Sequence, residues 1–240
     1  MGVIGKESRF YRFWHASGKG TAYEVRFRQT DLWIRSSEDF SKLVLKVVMD
    51  AHCQIMAYAK KNSRFLTSLR PLPWDPLAPP IVRKMLRAAD FAGVGPMASV
   101  AGAIAECVGV EIRRIDPAGD VIVENGGDCF LFSAHDPIIG LYGGNIRLRV
   151  KLPSEKLPLC VCSSSATMGH SLSLGKADLV TIFSSDGALA DAAATAVCNS
   201  IHSPDDLEPV VGEWGLRPEI YAVIAIIDGQ VGLFGGIELV

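Results

Sequence analysis

Between Ser163 and Thr195 the chain gathers Ser163-Ser164-Ser165, Gly169-His170-Ser171, Gly175-Lys176-Ala177-Asp178 and, four residues apart, Asp191 and Thr195. Hydroxyls, an imidazole, an ammonium and two carboxylates stand among small residues, where a packed core would need bulk. The segment reads as a place where backbone approaches a ligand. Asp191 and Thr195 share one face of an alanine-rich helix. A carboxylate and a hydroxyl oxygen so placed can hold Mg²⁺, which keeps water and phosphate oxygens as its other ligands. Each also has a plainer role, since Asp191 lies near a helix start, where negative charge is favourable, and Thr195 can bond back to the carbonyl of residue 191. His170, with an unperturbed pKa of about 6.5, suits proton exchange near neutrality. The serine run ends a strand and is either a loop or a site for phosphate or carbonyl groups. No Gly-x-Ser-x-Gly elbow surrounds it, which argues against a hydrolase triad.

A second cluster, Glu124-Asn125-Gly126-Gly127-Asp128, follows a strand directly. The diglycine exposes backbone N–H groups amid polar side chains, as a ligand loop or as a simple turn. It matches neither a dinucleotide fingerprint nor a P-loop. Cys160-Val161-Cys162 puts two thiols on one face of a strand, but no second pair lies at zinc-ligand spacing. A core role competes there with a metal or redox role.

The elements that must position these residues follow from periodicity. Residues 8–36 alternate with period two and predict a three-strand meander (9–15, 23–28, 31–35) with a turn at Ser17-Gly18-Lys19-Gly20. Ser36 or Ser37 is placed to cap a helix reaching about Lys61, with Phe40, Leu43, Val44, Val47, Ala51, Ile55 and Tyr58 as its apolar stripe. His52 and Cys53 read as packing residues. Five prolines in residues 71–80 predict a rigid surface connector. Short helices are expected from Ile81 to Ala89 and, opened by Pro96, from Met97 to about Val108. The latter is rich in alanine and glycine, with Glu106 near its end. Strands are expected at 121–123, 146–150, 159–162 and 179–183, a helix from Gly187 to about Asn199, and a closing hairpin with Asp228-Gly229 as its turn. The order predicts an α+β fold of antiparallel sheets with helices on one face. We expect a single domain over 1–240, built of two α+β halves (about 1–115 and 116–240).

A formal charge of −2 over 240 residues argues against nucleic acid as partner. The basic N-terminal stretch (Lys6, Arg9, Arg12, Lys19, Arg26, Arg28, Arg35) is a solvated hairpin face or a phosphate-binding patch. No apolar run approaches the roughly 18 residues of a membrane span, and residues 1–7 lack the apolar core of a signal peptide. The expected compartment is the cytoplasm. The six scattered cysteines are expected as reduced thiols, mostly buried.

Taken together, Gly95 through Glu106, Val123 through Asp128 and Ser163 through Asn199 resemble, in order, a prokaryotic family of ApbE-like proteins. This family belongs to the superfamily of the FAD:protein FMN transferases, related to the T-fold. The resemblance implies that Gly126-Gly127 is similar to the transferases' diglycine loop beside the flavin. It also implies that Ser163-Ser164-Ser165 stands where they carry Thr-Ser-Gly, that His170 matches their histidine, and that Asp191 and Thr195 match their Asp-x-x-x-Thr magnesium motif. Gly102 matches the glycine of their Lys-Gly pair. The chain departs from the pattern at Ala101, where the transferases carry lysine, and at Ser171-Leu172, where they carry Asp-Pro.

Three functions follow as expectations. The first is an ApbE-like protein that binds FAD, FMN or a related phosphorylated small molecule with Mg²⁺ but has lost FMN transfer. Asn125, Gly126, Gly127, Asp128, Ser163, Ser164, Ser165 and Gly102 would then line the ligand. The second is a Mg²⁺-dependent FMN or nucleotidyl transferase with His170 as proton shuttle. The third is a small-molecule enzyme of sulfur metabolism using Cys160 or Cys162. The expected partner is a small molecule, neither nucleic acid nor membrane, and a homo-oligomer is compatible with all three.

Overall fold

The computed structural model describes residues 20–167 and 174–240. β1 (Thr21–Phe27) and β2 (Thr30–Ser36) form the hairpin that the period-two pattern predicts. The strand expected at 9–15, and most of its turn, lie outside the described residues. α1 (Ser41–Lys61) starts later than expected. Ser36 ends β2 and its hydroxyl donates to the Glu38 carbonyl, while Asp39 accepts the Ser41 N–H at 2.7 Å. Val44, Val48, Ala51, Ile55 and Ala59 are the buried stripe of α1. His52 does have a partner, the Thr30 hydroxyl at 2.8 Å, and Cys53 is exposed rather than packed.

The proline-rich connector carries no helix or strand before α2 (Pro80–Ala92), which ends on Gly93 in the left-handed region. A single 3₁₀ turn at Pro96–Ser99 leads into α3 (Val100–Ile115). α3 runs a further two turns beyond the expected end, since Ile112 extends the buried stripe past Gly109. Then follow β3 (Val121–Asn125), β4 (Asp128–Phe132), β5 (Ile138–Gly143), β6 (Ile146–Lys151), β7 (Leu159–Ser164), β8 (Leu179–Ser184), α4 (Gly187–Ser200), α5 (Leu207–Gly215), β9 (Ala222–Ile227), β10 (Gln230–Gly235) and β11 (Glu238–Leu239).

Among the described residues, eight strands form one antiparallel sheet in the order β1-β2-β3-β4-β7-β8-β9-β10. The β2–β3 pairing carries it across the middle of the chain. The helices lie on one face, the α+β arrangement expected. The other face is covered by a small sheet, β11-β6-β5, which the sequence pattern did not announce because Gly140, Gly143 and Gly144 interrupt it. Two cores result. Val44, Ile104, Ile112, Ile182 and Val197 belong to the helix-side core, and Trp33, Leu131, Val161, Phe183 and Ile226 to the small-sheet side. The strands between them, β7, β8 and β9, are buried almost throughout, as expected of strands covered on both faces. No single helix among the described residues is long and apolar enough to cross a membrane.

Candidate functional site

The site forms where α3 and α4 cross. Glycine at both contact points lets the backbones meet: a methyl group on Gly102 would lie 2.1 Å from the Gly187 carbonyl oxygen, and one on Gly187 would lie 2.4 Å from that of Gly102. Each helix then holds the other's glycine N–H with a carboxylate. Gly102 N–H donates to Asp191 Oδ2 at 2.9 Å, and Gly187 N–H donates to Glu106 Oε2 at 3.0 Å. The other Glu106 oxygen accepts from Lys84 Nζ of α2 at 2.5 Å. Glu106 and Lys84 were not among the expected site residues. The only signal for them was a lone carboxylate in an otherwise uncharged stretch of α3.

Asp191 was expected as a metal ligand, with the start of its own helix as its plainer role. Asp186 fills that place, accepting the Leu189 N–H at 3.0 Å, and Asp191 instead serves the start of α3. Its carboxyl is pushed up to about 7 by burial, opposed by the N–H groups of Gly102 and Ala101. Asp128, 6% exposed, is pushed well above the usual carboxylate range by burial and then by the charge of Asp191, against the Ser163 N–H that donates to its Oδ1 at 3.1 Å. Burial thus disfavours the charged form of both acids, which come from different elements, and the charge of Asp191 adds to the effect at Asp128. Such a pair holds a proton or a cation.

The remaining expected residues divide. Gly126-Gly127 closes a two-residue turn between β3 and β4 at φ +70° and +109°, with nothing within 4 Å of where a Cβ would be. Asn125 and Asp128 flank it, and Asn125 Nδ2 donates to the Ala101 carbonyl at 3.1 Å, so the turn is tied to the start of α3. The serine run is split by the alternation of β7. Ser164 shares the helix face with Cys162, whose Sγ lies 3.6 Å from the Gly187 carbonyl. Ser164 is 6% exposed, and its hydroxyl has no hydrogen-bond partner among the described residues. Ser163 turns its hydroxyl to the opposite face, 2.9 Å from that of Thr181. Ser165 takes part in a local turn with Thr167. Thr195 lies one helical turn beyond Asp191, half-buried. Gly102 is pressed against α4, and His170 lies outside the described residues. Cys160 and Cys162 are buried in the helix-side core, and burial pushes both thiols up. Reactive thiolates need the reverse.

A Mg²⁺ ion fits this donor set. Asp128 and Asp191 supply hard oxygens, the Ser164 hydroxyl is open, and Mg²⁺ is content with one or two carboxylates plus water. Among the described residues no three His, Cys, Asp or Glu side chains gather, as a zinc site would require.

Solved structures with this fold include a flavin transferase ApbE from Vibrio cholerae (TM-score 0.61, 10% identity, 90% of this chain and 96% of that one). The ApbE protein of Thermotoga maritima matches with TM-score 0.56 at 14% identity over 91% and 96% of the two chains. Identities this low establish the fold alone. In sequence, the chain is 39% identical to a UPF0280 protein of Methanocaldococcus jannaschii, over 90% of this chain and 91% of that one. A UPF0280 protein of Archaeoglobus fulgidus is 34% identical over 90% and 92%. The family model described as AbpE bacteria matches residues 12–210, and with that extent of agreement the chain belongs to that family, on an ApbE-like fold.

Proposed function

We propose that this protein binds a flavin nucleotide or a related phosphorylated small molecule through Mg²⁺, and does not transfer FMN to protein. The observation that carries the reading is the coupling of Asp128, buried, with Asp191, half-buried at the start of α3, both carboxyls shifted toward protonation, together with a Ser164 hydroxyl that has no partner among the described residues. Asp128, Asp191 and Thr195 are the residues that would hold the metal. A bound Mg²⁺ supplies charge to neutralise phosphate oxygens. The N–H groups of Gly102 and Ala101 fix the Asp191 carboxylate at the start of α3. The likeness to flavin transferases supports a flavin as ligand.

Two sequence features favour binding without transfer. Ala101 stands where the transferases carry lysine, and Ser171-Leu172 where they carry Asp-Pro. Loss of a cation beside a diphosphate weakens binding by roughly 1.5–3 kcal/mol, or ten- to a hundred-fold. Lys84 does not replace it, being held by Glu106 one turn further along α3.

The test is calorimetric titration with FAD and FMN, with and without Mg²⁺, together with mass spectrometry of a threonine-bearing acceptor protein incubated with the enzyme candidate, FAD and Mg²⁺. Weak, Mg²⁺-dependent binding with no adduct is expected. A covalent FMN adduct overturns the non-transfer reading. Absence of binding at millimolar FAD with Mg²⁺ overturns the flavin reading.

A further inference from the structure

The two ends of the eight-stranded sheet are finished differently. Among the described residues, β1 closes one end with Glu24 and Arg26 exposed and ion-paired at 2.8 Å, charges of the kind that discourage a further strand. β10 closes the other with Gln230-Val231-Gly232-Leu233-Phe234-Gly235, which has neither charge nor proline. Val231, Leu233 and Phe234 are 36–40% exposed, although α5 packs on one face of the strand.

Backbone geometry decides which groups of β10 point outward. Gln230 and Ile227 flank the two-residue turn Asp228-Gly229, whose φ angles of +49° and +76° match a type I′ hairpin. They form a hydrogen-bonded pair, and alternation makes Gly232 with Ala225 and Phe234 with Val223 the next two. The N–H and C=O groups of Val231 and Leu233 therefore point away from β9. Among the described residues they have no backbone partner. After Gly235, at φ +117°, the chain crosses to the small sheet, where β11 is again an edge strand and Leu239 and Val240 are exposed. One short segment thus ends both layers of the molecule.

We propose that β10 pairs antiparallel with β10 of a second copy of this chain, Val231 opposite Leu233 of the other copy, so that the two large sheets become one. The strand complements itself in this register. A two-fold axis at Gly232 lets the outward groups of Val231 bond those of Leu233 in both directions, and it sets their side chains together as apolar cross-strand pairs, twice per dimer. Gly232 has no side chain to collide with its own copy. An unlike partner would be selected by complementary charge, and residues 230–237 carry none.

The test is sedimentation equilibrium of the full chain in the micromolar range. The wild type is expected to be a dimer. Val231→Glu and Leu233→Lys are each expected to weaken self-association roughly thirty-fold. Their circular dichroism is expected to be unchanged, because both side chains are exposed. Mixing the two variants is expected to restore association, because the introduced carboxylate of one faces the introduced ammonium of the other. A monomeric wild type, a variant that associates like the wild type, or a mixture that stays monomeric overturns the proposal.

Discussion

The two faces of the large sheet use the same strands and treat polar groups in opposite ways. On the small-sheet face two of them are matched locally: the Ser163 hydroxyl with that of Thr181, and Glu124 with the Gly127 N–H at 2.8 Å. On the helix face, one residue along, burial and the charge of Asp191 disfavour ionisation of Asp128, and the Ser164 hydroxyl is unpartnered among the described residues. Neighbouring residues of one strand therefore differ in what they are for. The matched set bonds within its own layer, whereas the unmatched set lies under α3 and α4, whose backbones meet at Gly102 and Gly187. Polar groups left incomplete inside a packed structure are what a ligand completes.

The lock is the first place to break this contrast. Gly102→Val drives a branched side chain into the Gly187 carbonyl and the Asp191 Cβ, both backbone-anchored. It is expected to cost about 4 kcal/mol or more, at the upper end of what overpacking does. Gly212→Ala is the control, since nothing lies within 4 Å of its added methyl in α5. A gain of about 0.5–1 kcal/mol is expected there from helix propensity. Urea unfolding of both decides the matter. A Gly102→Val protein as stable as the wild type would mean that the helices do not need their close approach.

Next in size is the strain of the acid pair. Asp191 has its folded pKa raised to about 7, above the ordinary carboxylate value of about 4. A raised acid binds its proton more tightly in the folded state, so its stabilisation is complete below about pH 4 and is lost as pH rises through about 7. Asp128 is shifted in the same direction. Ligand-free protein is therefore expected to lose about 2–3 kcal/mol between pH 5 and pH 8. Asp191→Asn still offers an acceptor to the Gly102 N–H and is expected to flatten that slope. Mg²⁺ is expected to restore the wild type at pH 8 and to do little for the variant. Urea midpoints at the two pH values, with and without Mg²⁺, measure all of this, and equal slopes for both proteins would show that the carboxylate is not strained.

How far the sequence reaches is clear from particular residues. The period-two run in β1 and β2, the stripe of α1 and the Asp228-Gly229 turn are local patterns, and each predicts its element. β5 and α5 escaped because glycines and, in α5, Pro209 blur their periods. At the site, residue types were legible and directions were not. Ser163 and Ser164 are identical in composition terms, and only the phase of β7 against its neighbours sends their hydroxyls to different layers. Asp191 looks like a group serving its own helix, because nothing local reveals that α3 begins beside it. The crossing of α3 and α4 is a contact between residues more than eighty positions apart, visible in sequence only as a surplus of glycine and alanine.

The smallest expected effect separates the two faces most finely. Ser163→Ala leaves the fully buried Thr181 hydroxyl without its partner and is expected to cost about 1 kcal/mol. Ser164→Ala deletes a hydroxyl without a partner among the described residues, so removing it relieves a burial penalty and is expected to leave ligand-free stability unchanged or slightly higher. In binding the order reverses. If Ser164 serves a ligand, its alanine variant weakens Mg²⁺-dependent nucleotide binding by about 1 kcal/mol, roughly five-fold, while Ser163→Ala changes it little. Urea unfolding and calorimetric titration of the same two variants give four numbers, and the reading demands that stability and affinity rank them in opposite order. Two variants that rank alike in both would make the serines equivalent, and the difference between the faces would then be one of packing alone.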